Sequence, residues 1–281
     1  MLSSVGIDDA RIDAEALLGF VTGRDRAQLY ARFREKLDPA HWHSYQTFVQ
    51  RRARREPLAY ITGIKEFMSL QFEVTRDVLI PRPETELLAE FCIQFLKDRV
   101  GEDRAAAQTV LDIGTGSGCL AVTIAKHVPE AVVYASDISE TALAVAARNA
   151  EHHGVAERVR FRCGDLYKAF AQDDLQGKVN LIVSNPPYVS RAELDELQPE
   201  IRDFEPEFAY YSGEENLAFH RLLVERGGGF LADSGVMCIE VGFGQAAKVR
   251  EILSSDGRYA VVDTLIDAAG IERAVVARIK L

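Results

Sequence analysis

The chain has 281 residues, of which 47% are hydrophobic and 27% are charged, and its formal net charge is −10 at pH 7. This composition is that of an ordinary globular protein, with enough length for one large domain or two. Proteins that bind nucleic acids mainly through the phosphates need a basic surface. The net negative charge therefore disfavours a nucleic-acid-binding protein of this kind. No apolar run approaches the ~18 residues of a membrane span, and the pattern of a signal peptide is missing. We therefore expect a cytoplasmic protein without membrane contact.

Cysteine and histidine usage predicts no metal site. The four cysteines are far apart in the sequence: Cys92, Cys119, Cys163 and Cys238. No pair has the spacing of a zinc site or a redox motif, and the histidines show no metal-binding pattern either. Separated thiols in apolar surroundings are typical of a reduced cytosolic protein.

The N-terminal part differs from the rest in charge and in pattern. Its first 70 residues carry 11 Lys and Arg against 9 Asp and Glu, whereas the remainder carries 22 against 34. Apolar side chains at helical spacing predict three helices within residues 7–55, and the third begins with the cap Asp38 and the first-turn Pro39. We therefore predict a small helical-bundle domain over residues 1–63.

The predicted third helix ends in a basic run, Arg51, Arg52, Arg54 and Arg55. Cations in a last helical turn complement the helix dipole, so the run is interpreted first as a solvated helix end. A binding patch for an acidic partner is the alternative interpretation.

Residues 64–82 predict a β-hairpin and a linker. Leu70, Phe72 and Val74 alternate with polar residues, which indicates a strand, and residues 66–68 are its candidate partner. The next stretch, residues 80–86, contains two prolines and several acceptor side chains. It is interpreted as a linker that runs into a helix, or as one edge of an active site.

Residues 83–281 predict an α/β domain, because strands and helices alternate, as in a parallel sheet covered on both faces. The last two strands, 259–265 and 271–279, predict a terminal antiparallel hairpin. The other predicted strands cover residues 109–113, 131–136, 158–162, 178–184 and 235–241. The predicted helices cover residues 83–99, 117–127, 139–153, 214–226 and 244–254.

A glycine-rich turn joins the first of these strands to its helix. Gly114, Gly116 and Gly118 let the backbone approach a ligand closely. The preceding Asp112 would repel a pyrophosphate but could hold a cationic amino-acid group. Two further acids follow strands, Asp137 and Asp165; the first could accept from ribose hydroxyls and the second from an adenine amino group.

These features resemble the class I S-adenosylmethionine-dependent methyltransferases. The resemblance implies S-adenosyl-L-methionine as the methyl donor and S-adenosyl-L-homocysteine as the product. It predicts cofactor contacts at Asp112, Gly114, Thr115, Gly116, Ser117, Gly118, Asp137, Asp165, Leu166 and Asn185.

The segment Asn185-Pro186-Pro187-Tyr188 follows a buried strand. The prolines have no backbone N–H and cannot donate hydrogen bonds to a neighbouring strand, and their rings make the backbone stiff. The segment therefore presents the Asn185 side chain and the Pro186 carbonyl as hydrogen-bond acceptors. The segment resembles the signature of enzymes that methylate a planar, conjugated nitrogen. Two acceptors that bind both N–H groups of such a nitrogen orient its lone pair towards the methyl group that is transferred. We predict Asn185, Pro186 and Tyr188 as catalytic residues and the whole segment as the substrate contact.

The wider sequence resembles the protein-glutamine N5-methyltransferases that modify peptide chain release factors. The resemblance rests on residues 57–63, 66–67, 80–86, 111–120, 185–188, 204–206 and 239–242 with Gln245. It implies a seven-stranded, mostly parallel Rossmann-like sheet. The implied substrate is the glutamine of the Gly-Gly-Gln loop of class 1 release factors, docked with help from the N-terminal helices. Residues 212–217 depart from the family pattern.

Three alternatives remain at this point. The first is methylation of a ribosomal-protein glutamine, and the second is methylation of an exocyclic amino group of a nucleic-acid base. The third is a cofactor-binding or docking protein without catalysis. We expect a monomer with no direct nucleic-acid contact, since the net charge is −10.

Overall fold

The computed structural model describes residues 1–102, 107–214 and 216–280. It contains two compact units. Unit 1 comprises Met1–Ile64 and Leu197–Glu205, and unit 2 comprises Lys65–Glu196 and Pro206–Leu281. The grouping differs from the expected domain boundaries in two ways: most of the expected linker lies in unit 2, and a late segment of the chain lies in unit 1.

The described residues form helices and strands with the following bounds. The helices are α1 (Ala10–Thr22), α2 (Arg26–Ala31), α3 (Pro39–Ala53), α4 (Leu58–Thr62), α5 (Pro83–Glu102), α6 (Cys119–His127), α7 (Glu140–His152), α8 (Pro199–Arg202), α9 (Ala218–Gly227) and α10 (Ala246–Asp256). The strands are β1 (Ile64–Phe67), β2 (Leu70–Glu73), β3 (Gln108–Ile113), β4 (Ala131–Asp137), β5 (Val159–Cys163), β6 (Val179–Ser184), β7 (Leu231–Glu240), β8 (Tyr259–Ile266) and β9 (Glu272–Ile279). No helix in these ranges is long and apolar enough to cross a membrane.

Two helices of unit 1, α2 and α3, begin at side-chain caps. The Asp25 carboxylate accepts from the backbone N–H of Gln28 in a capping box at α2. Asp38 caps α3 and Pro39 occupies its first turn, as predicted. The short helix α4 was not predicted, because its five residues show too little periodicity to be recognised.

The basic run at the end of α3 forms ion pairs within unit 1. Arg52 is only 7% exposed, and its guanidinium lies 2.9 Å from a Glu200 carboxylate oxygen. The interpretation as a solvated helix end is therefore wrong for Arg52, whereas a binding patch for an acidic partner stays a prediction. Arg51 pairs with Glu56, Arg52 with Asp13 and Glu200, and Arg55 with Glu200.

The large sheet of unit 2 has the strand order β5-β4-β3-β6-β7-β9-β8. The first five strands are parallel, while β9 is antiparallel to both β7 and β8. The predicted seven-stranded sheet with a terminal antiparallel hairpin is thus confirmed. Since β3 has β4 on one side and β6 on the other, the strand order reverses there, and such a point leaves a crevice at the carboxyl ends of the strands.

Alternate side chains of β3 enter two apolar cores, one on each face of the sheet. Val110 belongs to the core that contains Leu88 and Leu120, and Leu111 belongs to the core that contains Phe170 and Leu223. Both faces are therefore covered, as the alternating pattern predicted. This burial holds the carboxyl ends of the central strands in fixed positions.

Most predicted elements of unit 2 are present, with shifted ends. The helix predicted to begin at residue 214 begins at Ala218 instead, and residue 215 lies outside the described residues. Leu217 has a φ of 70°, a left-handed conformation that cannot continue a helix. The helix start is therefore set one residue later, at Ala218.

We expect Glu200→Ala to destabilise unit 1 by about 3 kcal/mol, because it leaves the buried Arg52 with one carboxylate partner fewer. Urea unfolding followed by the fluorescence of Trp42, the single tryptophan, measures the change. Asp203→Ala is the matched control on the same segment. Its ion pair with Arg202 is half exposed, so the expected loss is under about 1 kcal/mol. Equal losses in both variants would contradict the importance assigned to the buried pair.

Candidate active site

A cavity of about 190 Å³ lies in unit 2 at the carboxyl ends of β3, β4 and β6. It is the crevice expected at the reversal of strand order. Several residues singled out from the sequence line it: Gly114, Gly116, Asp137, Asp165, Leu166, Asn185, Pro186 and Pro187. Asp112, Thr115, Ser117, Gly118 and Tyr188 are not among the lining residues.

The three glycines of the turn have different surroundings. A Cβ atom at Gly114 or Gly116 would meet nothing within 4 Å, whereas one at Gly118 would lie 3.0 Å from the Cβ of Ala146. Gly114 and Gly116 therefore leave open space beside the cavity, where a ligand can approach the backbone. Gly118 instead allows α6 to pack closely against α7.

Asp112 lies beneath the glycine turn and is fully buried. One of its oxygens accepts from the Thr115 hydroxyl at 2.6 Å and from the Ala121 backbone N–H at 3.1 Å. Burial raises the pKa of Asp112 to about 7, against the effect of these hydrogen bonds. The visible role of Asp112 is to hold the turn; the predicted contact with a cationic group stays a prediction.

Three polar atoms in or near the turn are buried without a hydrogen-bond partner among the described atoms. They are Oδ1 of Asp112, Oγ of Ser117 and Oγ of Ser136, and Ser136 lines the cavity. Buried polar atoms in folded proteins are normally hydrogen-bonded, so these atoms fit a site that receives a polar ligand.

Asp137 ends β4 and lines the cavity. Its carboxylate accepts from the backbone N–H groups of Gly116 at 2.9 Å and of Ser139 at 3.0 Å. Burial raises the pKa of Asp137, and these donors oppose that rise. The carboxylate is therefore fixed beside the glycine turn; its predicted contact with ribose hydroxyls stays a prediction.

Asp165 and Leu166 lie on the same side of the cavity. The Asp165 carboxylate is half exposed and forms an ion pair with Lys168 at 2.8 Å. Leu166 has a φ of 50°, an unfavourable backbone conformation that is often found at functional sites. The predicted contact of these two residues with an adenine ring stays a prediction.

Asn185 and the glycine turn are held next to each other by a hydrogen bond between strands. The Ser184 hydroxyl at the end of β6 donates to the carbonyl oxygen of Ile113 at the end of β3, at 2.7 Å. Because each of these residues precedes a predicted site residue, the bond fixes Gly114 and Asn185 on the same edge of the sheet.

Tyr188 is not among the residues that line the cavity. Its carbonyl oxygen accepts from the Gln245 side-chain amide at 3.0 Å, and its ring lies against Gly242. Burial and the nearby Glu240 carboxylate raise the pKa of Tyr188 above its usual range. The phenol is therefore neutral at physiological pH, which does not suit it to act as a base.

Sequence reasoning missed part of the lining. The additional residues are Asp77, Val78, Leu79, Ile113, Ser136, Ile138, Ala142, Gly164, Ser184, Phe208, Ala209 and Phe219. Ile138 could have been recognised, because it directly follows the strand-end acid Asp137 and its side chain is 66% exposed. An exposed apolar side chain in a cavity offers a surface for a flat ring. Within residues 1–102, 107–214 and 216–280, no cluster of three or more His, Cys, Asp or Glu side chains could hold a metal ion.

Comparisons with known proteins show the family and the fold of the chain. Residues 1–63 match the family model described as the PrmC N-terminal domain, and residues 89–200 match the methyltransferase small domain. The N-terminal domain of human METTL16, solved in complex with SAH, is 14% identical and aligns with a TM-score of 0.54. That alignment covers 75% of this chain and 76% of the other, and at this identity it shows the fold alone.

Two curated relatives are similar over almost their whole length. The release factor glutamine methyltransferase of Geobacter sulfurreducens is 41% identical over 99% of this chain and 93% of its own. The enzyme of the same name from Bordetella pertussis is 41% identical over 94% of this chain and 93% of its own. The chain belongs to the family of release factor glutamine methyltransferases.

Proposed function

We propose that this protein transfers a methyl group from S-adenosyl-L-methionine to N5 of a glutamine side chain. The proposed substrate is the glutamine of the Gly-Gly-Gln loop of class 1 peptide chain release factors. The observation that carries the proposal is one cavity that brings the glycine turn and Asp137 together with Asn185 and Pro186. Membership of the release factor glutamine methyltransferase family supports the choice of substrate.

The residues of the cavity fit the proposed cofactor. When bound, S-adenosylmethionine supplies an electrophilic methyl group on a positively charged sulfur. Gly114 and Gly116 leave room for close approach to the backbone, and Asp137 presents a fixed carboxylate to ribose hydroxyls. The unpartnered Asp112 Oδ1 adds a buried acceptor near the turn.

The side of the cavity formed by Asn185 and Pro186 suits an amide nitrogen. The lone pair of such a nitrogen is delocalised, so the nitrogen is a poor nucleophile and gains from orientation. The side-chain oxygen of Asn185 and the carbonyl of Pro186 would accept its two N–H bonds and stabilise the positive charge that develops. The methylated nitrogen then loses a proton to water, so a strong base is not required.

We further propose that unit 1 helps to dock the release factor and that the enzyme acts as a monomer in the cytoplasm. A nucleic-acid base amine is the second candidate substrate, because it is also a planar nitrogen with two N–H bonds. The net charge of −10 disfavours it.

Incubation with labelled S-adenosylmethionine should label a class 1 release factor but not its Gln→Ala variant in the Gly-Gly-Gln loop. The label should appear on a glutamine in peptide mapping, since the side-chain amide of the loop glutamine is the proposed acceptor. Total RNA and ribosomal proteins serve as competing acceptors in the same assay. Label on the Gln→Ala factor, or on RNA alone, would disprove the proposed substrate.

Asn185→Ala should lower kcat about 100- to 1,000-fold, because one acceptor of the developing positive charge is lost. The Kd of S-adenosylhomocysteine, measured by calorimetry, should change much less. Asn180→Ala is the matched control, since that side chain accepts from the Thr109 backbone N–H at the opposite end of the sheet. The control should lose stability but keep its kcat. Normal turnover in Asn185→Ala would refute the role given to Asn185.

A further inference from the structure

The amide of Asn185 is held by a residue that is distant in sequence. Its Nδ2 donates to the hydroxyl oxygen of Thr85 at 3.2 Å. Thr85 lies in the first turn of α5 and is 2% exposed. It belongs to the proline-containing stretch 80–86, which the sequence marked as a linker or an edge of the site without giving Thr85 a role.

The hydrogen-bond chain continues to Glu240, the last residue of β7. The Thr85 hydroxyl donates to the Glu240 carboxylate at 2.7 Å, and Glu240 is 3% exposed. An ionised carboxylate only accepts hydrogen bonds, and a threonine hydroxyl has a single proton. Since that proton is used on Glu240, the Thr85 oxygen can only accept from Asn185. The donor end of the Asn185 amide must therefore face Thr85.

This ordering requires Glu240 to be ionised. Burial raises the pKa of Glu240 to about 7, while the hydrogen bond from Thr85 lowers it. Glu84 disfavours the charged form, whereas Arg273 and Arg82 favour it. At pH 8.5 the carboxylate is ionised, so measurements at that pH examine the ordered chain.

We propose that Thr85 is a positioning residue that fixes which end of the Asn185 amide faces the substrate. With Nδ2 bound to Thr85, the acceptor Oδ1 is turned away from Thr85 and is free for a substrate N–H. The opposite orientation would set the two N–H bonds of Asn185 against those of the substrate. The torsion that interconverts the two orientations is broad and two-fold, so a fixed partner is needed to select one.

This inference rests on the proposed function and is tested by removing the Thr85 hydroxyl. In Thr85→Val, kcat for release-factor methylation at pH 8.5 and saturating cofactor should fall on the order of tenfold, the effect of one lost hydrogen bond. The KM for the release factor, the Kd of S-adenosylhomocysteine and the melting temperature should change little. Thr85→Ser should restore kcat, and Thr85→Ala is measured in parallel, so that a folding defect in one variant does not decide the outcome.

Thr123→Val is the matched control for the loss of a buried hydroxyl. Thr123 lies in α6 and is fully buried, and its Oγ1 has no hydrogen-bond partner among the described atoms. Its removal should leave kcat unchanged, because no polar group loses a partner. A fall in kcat equal to that of Thr85→Val would show a general effect of core substitution and overturn the inference.

A double-mutant cycle tests whether Thr85 acts through Asn185. In the Asn185→Ala background, Thr85→Val should cause no further fall in kcat, since there is no amide left to orient. Fully additive effects, or normal kcat in Thr85→Val alone, would overturn the positioning role. The two proposals fail separately: a wild-type enzyme that methylates no release factor disproves the function, whereas unchanged turnover in Thr85→Val disproves only the role of Thr85.

Discussion

The pairing of β3 with β6 brings together the two halves of the candidate site. The register aligns Leu111 with Ile182 and Asp112 with Val183, so the strands end side by side. The glycine turn comes directly after β3, and the segment that begins with Asn185 comes directly after β6. Parallel strands that neighbour each other at a reversal of strand order present both segments to one crevice. The proposed cofactor side and the proposed substrate side of the reaction therefore meet without any long loop to position them.

Two buried carboxylates support this edge of the sheet from different sides. Asp112 holds the glycine turn through Thr115, and Glu240 holds the Asn185 amide through Thr85. Burial raises the pKa of each carboxylate to about 7. Burying a carboxylate away from water is unfavourable. Buried carboxylates are therefore expected where they fix the position of neighbouring groups at a functional site.

The sequence predicted what is local and missed what is distant. The glycine turn, Asp137 and the segment from Asn185 were recognisable because each follows a strand and has its own pattern. The Thr85 contact with Asn185 and the ion pair of Arg52 with Glu200 join residues far apart in the chain. A single sequence carries no record of such pairs, because periodicity and capping reach only a few residues. For the same reason the close packing of Gly118 against Ala146 of α7 was not predicted.

The proposed mechanism needs two acceptors at fixed positions rather than a base, and the chain restricts each of the two proposed acceptors by a different means. The carbonyl of Pro186 is held by covalent structure, since the ring of Pro187 restricts the backbone before it. Behind it, Gln245 binds the Tyr188 carbonyl and the Gly242 N–H, which ties the segment to the end of β7. The Asn185 oxygen has no such covalent constraint, so its orientation depends on Thr85 and Glu240. A fixed Pro186 carbonyl would be of little use if the Asn185 amide were free to rotate.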